Sequence, residues 1–278
     1  MPDITIATER CIGCAECARD CPTGIIRMEN GVPAVAPRRE KRCIGCLHCV
    51  TVCPCGALSF RGVTPESCTP LKNRFPQPEA LEILMKGRRS VRRFLPEAVD
   101  SALIRRTVDA AAHAPSGKNQ RGLLFTVVDD PQTMNRLRHD TVEAVREALA
   151  DGCSHPQTAF FQAALARWDT GTDIIFRNAP HLLWVTAPRT NTTAQADVHV
   201  ALTYFELMAA ACGLGTLWCG FATWAMSEIA PRIARGLGIP EAHTSGYVML
   251  FGKPAVRYHR TAERGCDGFN RVVWPPAT

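Results

Sequence analysis

A cysteine pattern written twice limits what this chain can be. Arg10-Cys11-Ile12-Gly13-Cys14 returns 32 residues later as Arg42-Cys43-Ile44-Gly45-Cys46, and the match runs on through Cys17, Cys21 and Pro22 to Cys49, Cys53 and Pro54. Each copy reads C-x2-C-x2-C-x3-C-P. Eight of the 14 cysteines in 278 residues thus fall within the first 53 positions, a clustering that ordinary usage does not give. The opening MPDITIATER lacks a basic stretch followed by an apolar one. No apolar run approaches the roughly 20 residues of a membrane span. A cytoplasmic location away from membranes is therefore expected, and in that reducing compartment thiols bind metal or do chemistry more readily than they form a disulfide framework.

Over about residues 1–62 the chain resembles a two-cluster bacterial ferredoxin, whose [4Fe-4S] clusters are held by this C-x2-C-x2-C-x3-C-P run. Three cysteines spaced two apart can wrap three corners of a cubane, while amides of the tight loop offset the negative charge on sulfur. The resemblance implies that the fourth cysteine of each copy crosses over. One cluster would then take Cys11, Cys14, Cys17 and Cys53, and the other Cys43, Cys46, Cys49 and Cys21. Between the copies, Ile25–Met28 and Val32–Val35 flank Asn30-Gly31, a hairpin signal where ferredoxins place a hairpin. Zinc is the competing occupant, but its sites show paired C-x2-C knuckles rather than two runs of four ending in Cys-Pro. Cys55 departs from the pattern: it either competes as a ligand or fills apolar space beside a cluster. Cys68, Cys153, Cys212, Cys219 and Cys266 share no metal spacing and read as ordinary small residues.

Pro65, Pro70, Pro76 and Pro78 make residues 63–78 a linker, followed by a second domain over 79–278. The 46% hydrophobic composition can bury its core. Helices are expected over 79–86, 100–112, 131–149, 197–212 and 227–235, and strands over 123–128, 182–186 and 246–251, with an extended arm at 272–274. The helix over 197–212 is apolar all round, as a buried or interface helix is. Residues 151–179, with Phe160, Phe161 and Trp168, form either a lid or a peripheral core helix. Gly213–Gly220 follows a helix and is no dinucleotide fingerprint. Gly87-Arg88-Arg89-Ser90-Val91-Arg92-Arg93-Phe94 suits a phosphate monoester, because guanidinium groups and a hydroxyl complement nearly two negative charges. A solvated basic face is the alternative. The net charge of +6 fits an acidic partner or a phosphate-bearing cofactor and is too small to argue for nucleic acid.

Taken in order, R-R-S-V-R-R-F, A-P-S-G-K-N, G-L-G-T-x-W-x-G-F and G-Y-V before a basic tail resemble the FMN-dependent nitroreductases over about 200 residues. That resemblance implies an α+β sandwich and a homodimer binding FMN with residues of both chains. Arg88, Arg89, Ser90 and Arg92 would hold the phosphate and ribityl side, with Arg260 or Arg264 as a further clamp. Pro115, Ser116, Gly117 and Asn119 would come from the other protomer. Leu217, Trp218, Cys219 and Gly220 would pass along the ring, the Gly220 amide facing N5, while Arg92 or Lys118 would stabilise the reduced flavin; without the resemblance, Trp218 and Cys219 read as sheet core. Gln120-Arg121-Gly122 departs from the glutamine-Pro-Trp of many members.

No Ser-His-Asp order or carboxylate pair stands out, so flavin carries the chemistry. The expected activity is an oxidoreductase passing electrons from two [4Fe-4S] clusters through FMN to a nitroaromatic or quinone-like acceptor. The donor is an external ferredoxin, a flavodoxin or NAD(P)H. The competing readings are a non-catalytic redox sensor or electron-transfer adaptor, and a zinc-binding module fused to an enzyme.

Overall fold

In the computed structural model, which describes residues 4–274, the Asn30-Gly31 pair turns the chain with φ of 49° and 83°, and the flanking apolar residues pair as a hairpin. The chain divides into two units, the first running to Pro76 and taking in Pro115–Gly122, the second comprising Gln77–Ala114 and the chain from Leu123 onward.

In the first unit, β1 (Ile4–Ile6), α1 (Glu16–Arg19), β2 (Ile26–Glu29), β3 (Val32–Val35), α2 (His48–Thr51) and β4 (Leu58–Phe60) follow one another. β1 pairs antiparallel with β4, and β2 with β3 in the register Ile26↔Val35 to Glu29↔Val32. The core is small: Cys17, Ile25, Ile26, Val50, Ala57, Leu58 and Phe60, with other cysteines packed around it. The prolines after β4 give a short 3-10 turn, Pro65–Ser67, closed by reciprocal Thr64 and Ser67 hydrogen bonds and by the Arg10–Glu66 ion pair.

The second unit opens with α3 (Pro78–Gly87) and α4 (Ser101–Ala111); Asp100 Oδ1 caps α4 by accepting from Ala102 and Leu103. Next come β5 (Leu124–Val128), α5 (Pro131–Ala150), α6 (Thr158–Asp169), β6 (His181–Thr186), α7 (Ala194–Ala211), β7 (Gly215–Trp218), α8 (Gly220–Trp224), α9 (Arg232–Gly236) and β8 (Tyr247–Gly252). The four strands form one antiparallel sheet in the order β5-β6-β8-β7. Period-two alternation sends Leu182, Trp184, Val248 and Leu250 to one face, packed with α5, α6 and α8. Leu183, Val185, Met249 and Phe251 meet α4 and α7 on the other. Helices cover both faces, so β6 is buried at every residue and reads as a continuous apolar run.

Two expectations need correcting. Gly215–Trp218 is an edge strand, hidden in the sequence by its glycines. The helix expected over 227–235 is interrupted: a π-helical turn, Ala225–Ile229, ends before Pro231, and α9 starts at Arg232. Proline lacks the N–H an α-helix needs there and clashes with the preceding turn. Of the two readings of residues 151–179 the core helix holds, since Phe161 in α6 is fully buried and Phe160 stacks on Phe221 with centroids 3.6 Å apart.

Candidate functional site

The two cysteine runs follow the same backbone path. A 3-10 turn, Thr8–Arg10 or Glu40–Arg42, precedes the first cysteine, whose N–H donates back to Thr8 or Glu40 at 3.2 and 3.1 Å. The chain then passes through the left-handed region at Ala15 (φ 62°) and Leu47 (φ 63°) before α1 or α2, which carries the third cysteine. A left-handed residue with a Cβ costs about 1–2 kcal/mol. Its recurrence at the same place in both copies marks a loop held in a special shape.

Cys21 borders one cavity with Cys43, Cys46 and Cys49, and Cys53 is near enough to Cys17 for their charges to interact. Burial raises the Cys17 thiol pKa, with the charges of Cys53 and Cys14 adding to it. Burial likewise pushes Cys49 up to about 11, and Cys46, Cys21 and Cys43 add. A cavity bordered by Cys21, Cys43, Cys46 and Cys49, with Ile25 and Phe60 as apolar wall, shows the same grouping. Cys21 and Cys53 are held below the ordinary thiol range. Burial is the largest influence on each and raises it, but hydrogen bonds together outweigh it. At Cys21 these come from the Ile25 amide, the Thr23 hydroxyl and the amides of Thr23 and Ile26; at Cys53 from the Ala57 amide (3.2 Å), the Cys55 thiol and the amides of Cys55 and Gly56. Such hydrogen bonds favour the thiolate, the form that binds iron. Among the described residues no three His, Cys, Asp or Glu side chains converge as they would around a single ion.

In the second unit, Val91 N–H donates to Thr216 O at 2.9 Å and Ser90 bridges to the same residue, so the arginine-rich segment runs along β7. Arg88 Nη1 donates to Glu206 Oε1 at 3.0 Å, and Thr216 Oγ1 donates to that oxygen at 3.3 Å. Glu206 is a buried carboxylate in the apolar α7, and one cation and one hydroxyl neutralise it. Arg88 and Arg89 border an open cavity with Thr216, Arg257 and Tyr258. The sequence reading missed Glu206, Thr216, Arg257 and Tyr258. A lone acid in an apolar helix was the available signal for the first, since it demands a partner. Arg92, Arg260 and Arg264 are exposed.

Further along, Leu217 and Cys219 are buried, and Cys219 Sγ donates to Ile175 O at 3.2 Å, its pKa pushed up to about 12 by burial. That side chain belongs to the core, so this segment can present only backbone at residue 219. Trp218 stacks on His199 (centroids 5.8 Å apart) and meets Tyr247 edge-on at 5.5 Å. Gly220 opens α8, where a Cβ would come 3.0 Å from the Tyr247 hydroxyl. The remaining expected residues lie in Pro115–Gly122, which packs as part of the first unit. Within it Arg121 N–H donates to Ser116 Oγ at 3.0 Å, and Asn119 Nδ2 donates to Ile44 O, between Cys43 and Cys46, at 2.9 Å.

Residues 85–253 match the Nitroreductase family, and residues 10–57 match the 4Fe-4S dicluster domain. The nitroreductase NfnB of Mycolicibacterium smegmatis is 30% identical over 185 residues, 58% of this chain and 77% of that protein. Among solved structures, an FMN-bound nitroreductase of Bacteroides fragilis superposes with a TM-score of 0.57 at 21% identity, over 69% of this chain and 98% of the other. An FMN-bound nitroreductase of Desulfitobacterium hafniense gives 0.55 at 22% identity, over 71% and 100%. At that identity the two structures establish the shared fold.

Proposed function

From a chain that belongs to the nitroreductase family and carries a 4Fe-4S dicluster domain ahead of it, we propose an FMN oxidoreductase that receives single electrons at its clusters and reduces a small organic acceptor at its flavin. The clusters supply one-electron transfer, and FMN converts it to two-electron delivery. The observation that carries the relay is the Asn119–Ile44 hydrogen bond. By family position Pro115, Ser116, Gly117 and Asn119 line a flavin, yet here that segment is built into the cluster-bearing unit.

The residues fit both groups. Cys11, Cys14, Cys17 and Cys53 would hold one cluster, and Cys43, Cys46, Cys49 and Cys21 the other; the mutual influence of these thiols and the amides aimed at Cys21 and Cys53 support both sets. Arg89, Ser90, Arg92 and Arg257 would take the FMN phosphate. Arg88 contributes less charge, being already paired with Glu206. Arg260 and Arg264 lie farther along the same tail. Trp218 and the backbone at Cys219 and Gly220 would meet the ring, with the Gly220 N–H directed at N5. α7 supports a homodimer, because Ala196, Val200, Thr203, Leu207 and Ala211 form a largely apolar stripe, exposed or half-buried, on the face away from its core residues.

Anaerobic purification with iron, sulfide and flavin analysis tests this, followed by reduction with dithionite and addition of a nitroaromatic. About eight iron atoms and one FMN per chain, reoxidised by the acceptor with product formed, are expected. Reoxidation without conversion of any organic acceptor would make the chain a redox sensor or adaptor. NAD(P)H oxidation undiminished after cluster loss would remove the relay.

A further inference from the structure

The two cysteine runs are alike in backbone but differ in what touches the crossed sulfur. Thr23 Oγ1 lies 3.7 Å from Cys21 Sγ, and 32 positions on, Cys55 Sγ lies 3.7 Å from Cys53 Sγ. Both side chains are half-buried and stand two residues after the fourth cysteine of their copy. A cysteine bound to iron has no proton and can only accept. Thr23 must then donate an O–H to one cluster's ligand, and Cys55 an S–H to the other's. Formal charge in the turns and short helices ahead of and around the cysteines points the same way: Glu9, Arg10, Glu16 and Arg19 cancel in the first copy, while Glu40, Lys41 and Arg42 leave one positive charge beside the second.

Resting on the ligand sets of the proposed function, we infer that Thr23 and Cys55 set the two clusters at different potentials. Thr23 makes the cluster of Cys21, Cys43, Cys46 and Cys49 the more easily reduced one. A hydrogen bond to a ligand sulfur stabilises the reduced cluster, which carries one more negative charge, and so raises its potential. A hydroxyl donates more strongly than a thiol, so the cluster beside Thr23 is raised further. An electron entering the unit comes to rest there, at the cluster whose loop includes Ile44, while the other cluster relays it at lower potential. Cys55 is in this account a tuning donor and not a ninth ligand.

The test is a reductive titration of the whole protein followed by electron paramagnetic resonance, with iron and sulfide measured in each sample. Thr23→Val should move the less negative of two waves downward and leave the other in place, while Thr23→Ser should leave both. Cys55→Ala should move only the more negative wave further down, and Cys55→Thr should raise it toward its neighbour. Unmoved waves in Thr23→Val with full iron would overturn the tuning alone, as would a shift confined to the more negative wave. Loss of iron in Cys55→Ala would overturn it by making Cys55 a ligand. Wild-type protein lacking two clusters' worth of iron would instead overturn the cluster reading on which the inference stands.

Discussion

Glu206 is held in an apolar helix by Arg88 and Thr216, and it makes the arginine-rich segment partly structural. Arg88→Ala leaves a buried carboxylate with a single hydroxyl and should cost about 2 kcal/mol in a denaturant titration. Glu206→Gln in the Arg88→Ala background should recover most of that loss. Arg89→Ala should weaken FMN retention without moving the unfolding midpoint of the FMN-free protein. The glycine of the G-Y-V motif has an equally plain cause. Gly246 has φ of +56°, and a Cβ there would sit 2.0 Å from Val185 O. Gly246→Ala should cost on the order of 3 kcal/mol, read as a lowered thermal midpoint. The motif was visible in the sequence, whereas its reason was not, because the clash is with a neighbouring strand.

At the scale of elements, β6 carries a buried histidine. His181 Nε2 accepts from the Val99 amide at 2.9 Å, and burial holds its pKa below the usual value of 6.5. As pH falls through about 6.5 the unfolded chain takes up a proton that the folded one resists, so stability should decline there. Thermal midpoints between pH 7.5 and 5 check this, and His181→Gln, whose amide oxygen can still accept from Val99, should flatten the decline. Long periodic segments announced themselves: α5, α7, β5, β6 and β8 lie where the apolar spacing put them, because each buries a face that the pattern alone defines. Gly215–Trp218 did not, since its pairing with Thr216↔Phe251 and Leu217↔Leu250 is a long-range fact that short local composition does not encode. The break before α9 is legible in Pro231, whose missing N–H and ring end a helix at the preceding turn.

For the molecule as a whole, the two units stand on different foundations. The second has a sheet covered on both faces, while among the described residues of the first one small cluster, Cys17 with six apolar side chains, packs with the other cysteines. So small a core draws stability from bound metal. Stripping iron with a chelator should therefore expose the first unit, Pro115–Gly122 included, to protease while the second survives as resistant pieces beginning near Gln77 and near Leu123; equal loss of both units would refute this. The cysteine spacing gave the cofactor class directly, because the ligand pattern is local. The flavin side was legible only as an ordered set of weak motifs, since Arg257, Thr216 and Glu206 meet the arginine segment through folding rather than through adjacency. The proposed crossing of the fourth cysteines would also impose a schedule on synthesis. On the proposed ligand sets Cys53 would complete the set of Cys11, Cys14 and Cys17, and Cys21 would wait for Cys43, Cys46 and Cys49, so a growing chain on the ribosome would finish neither iron site until both repeats had emerged. A messenger truncated between the copies would yield a peptide with four thiols and no stable cargo.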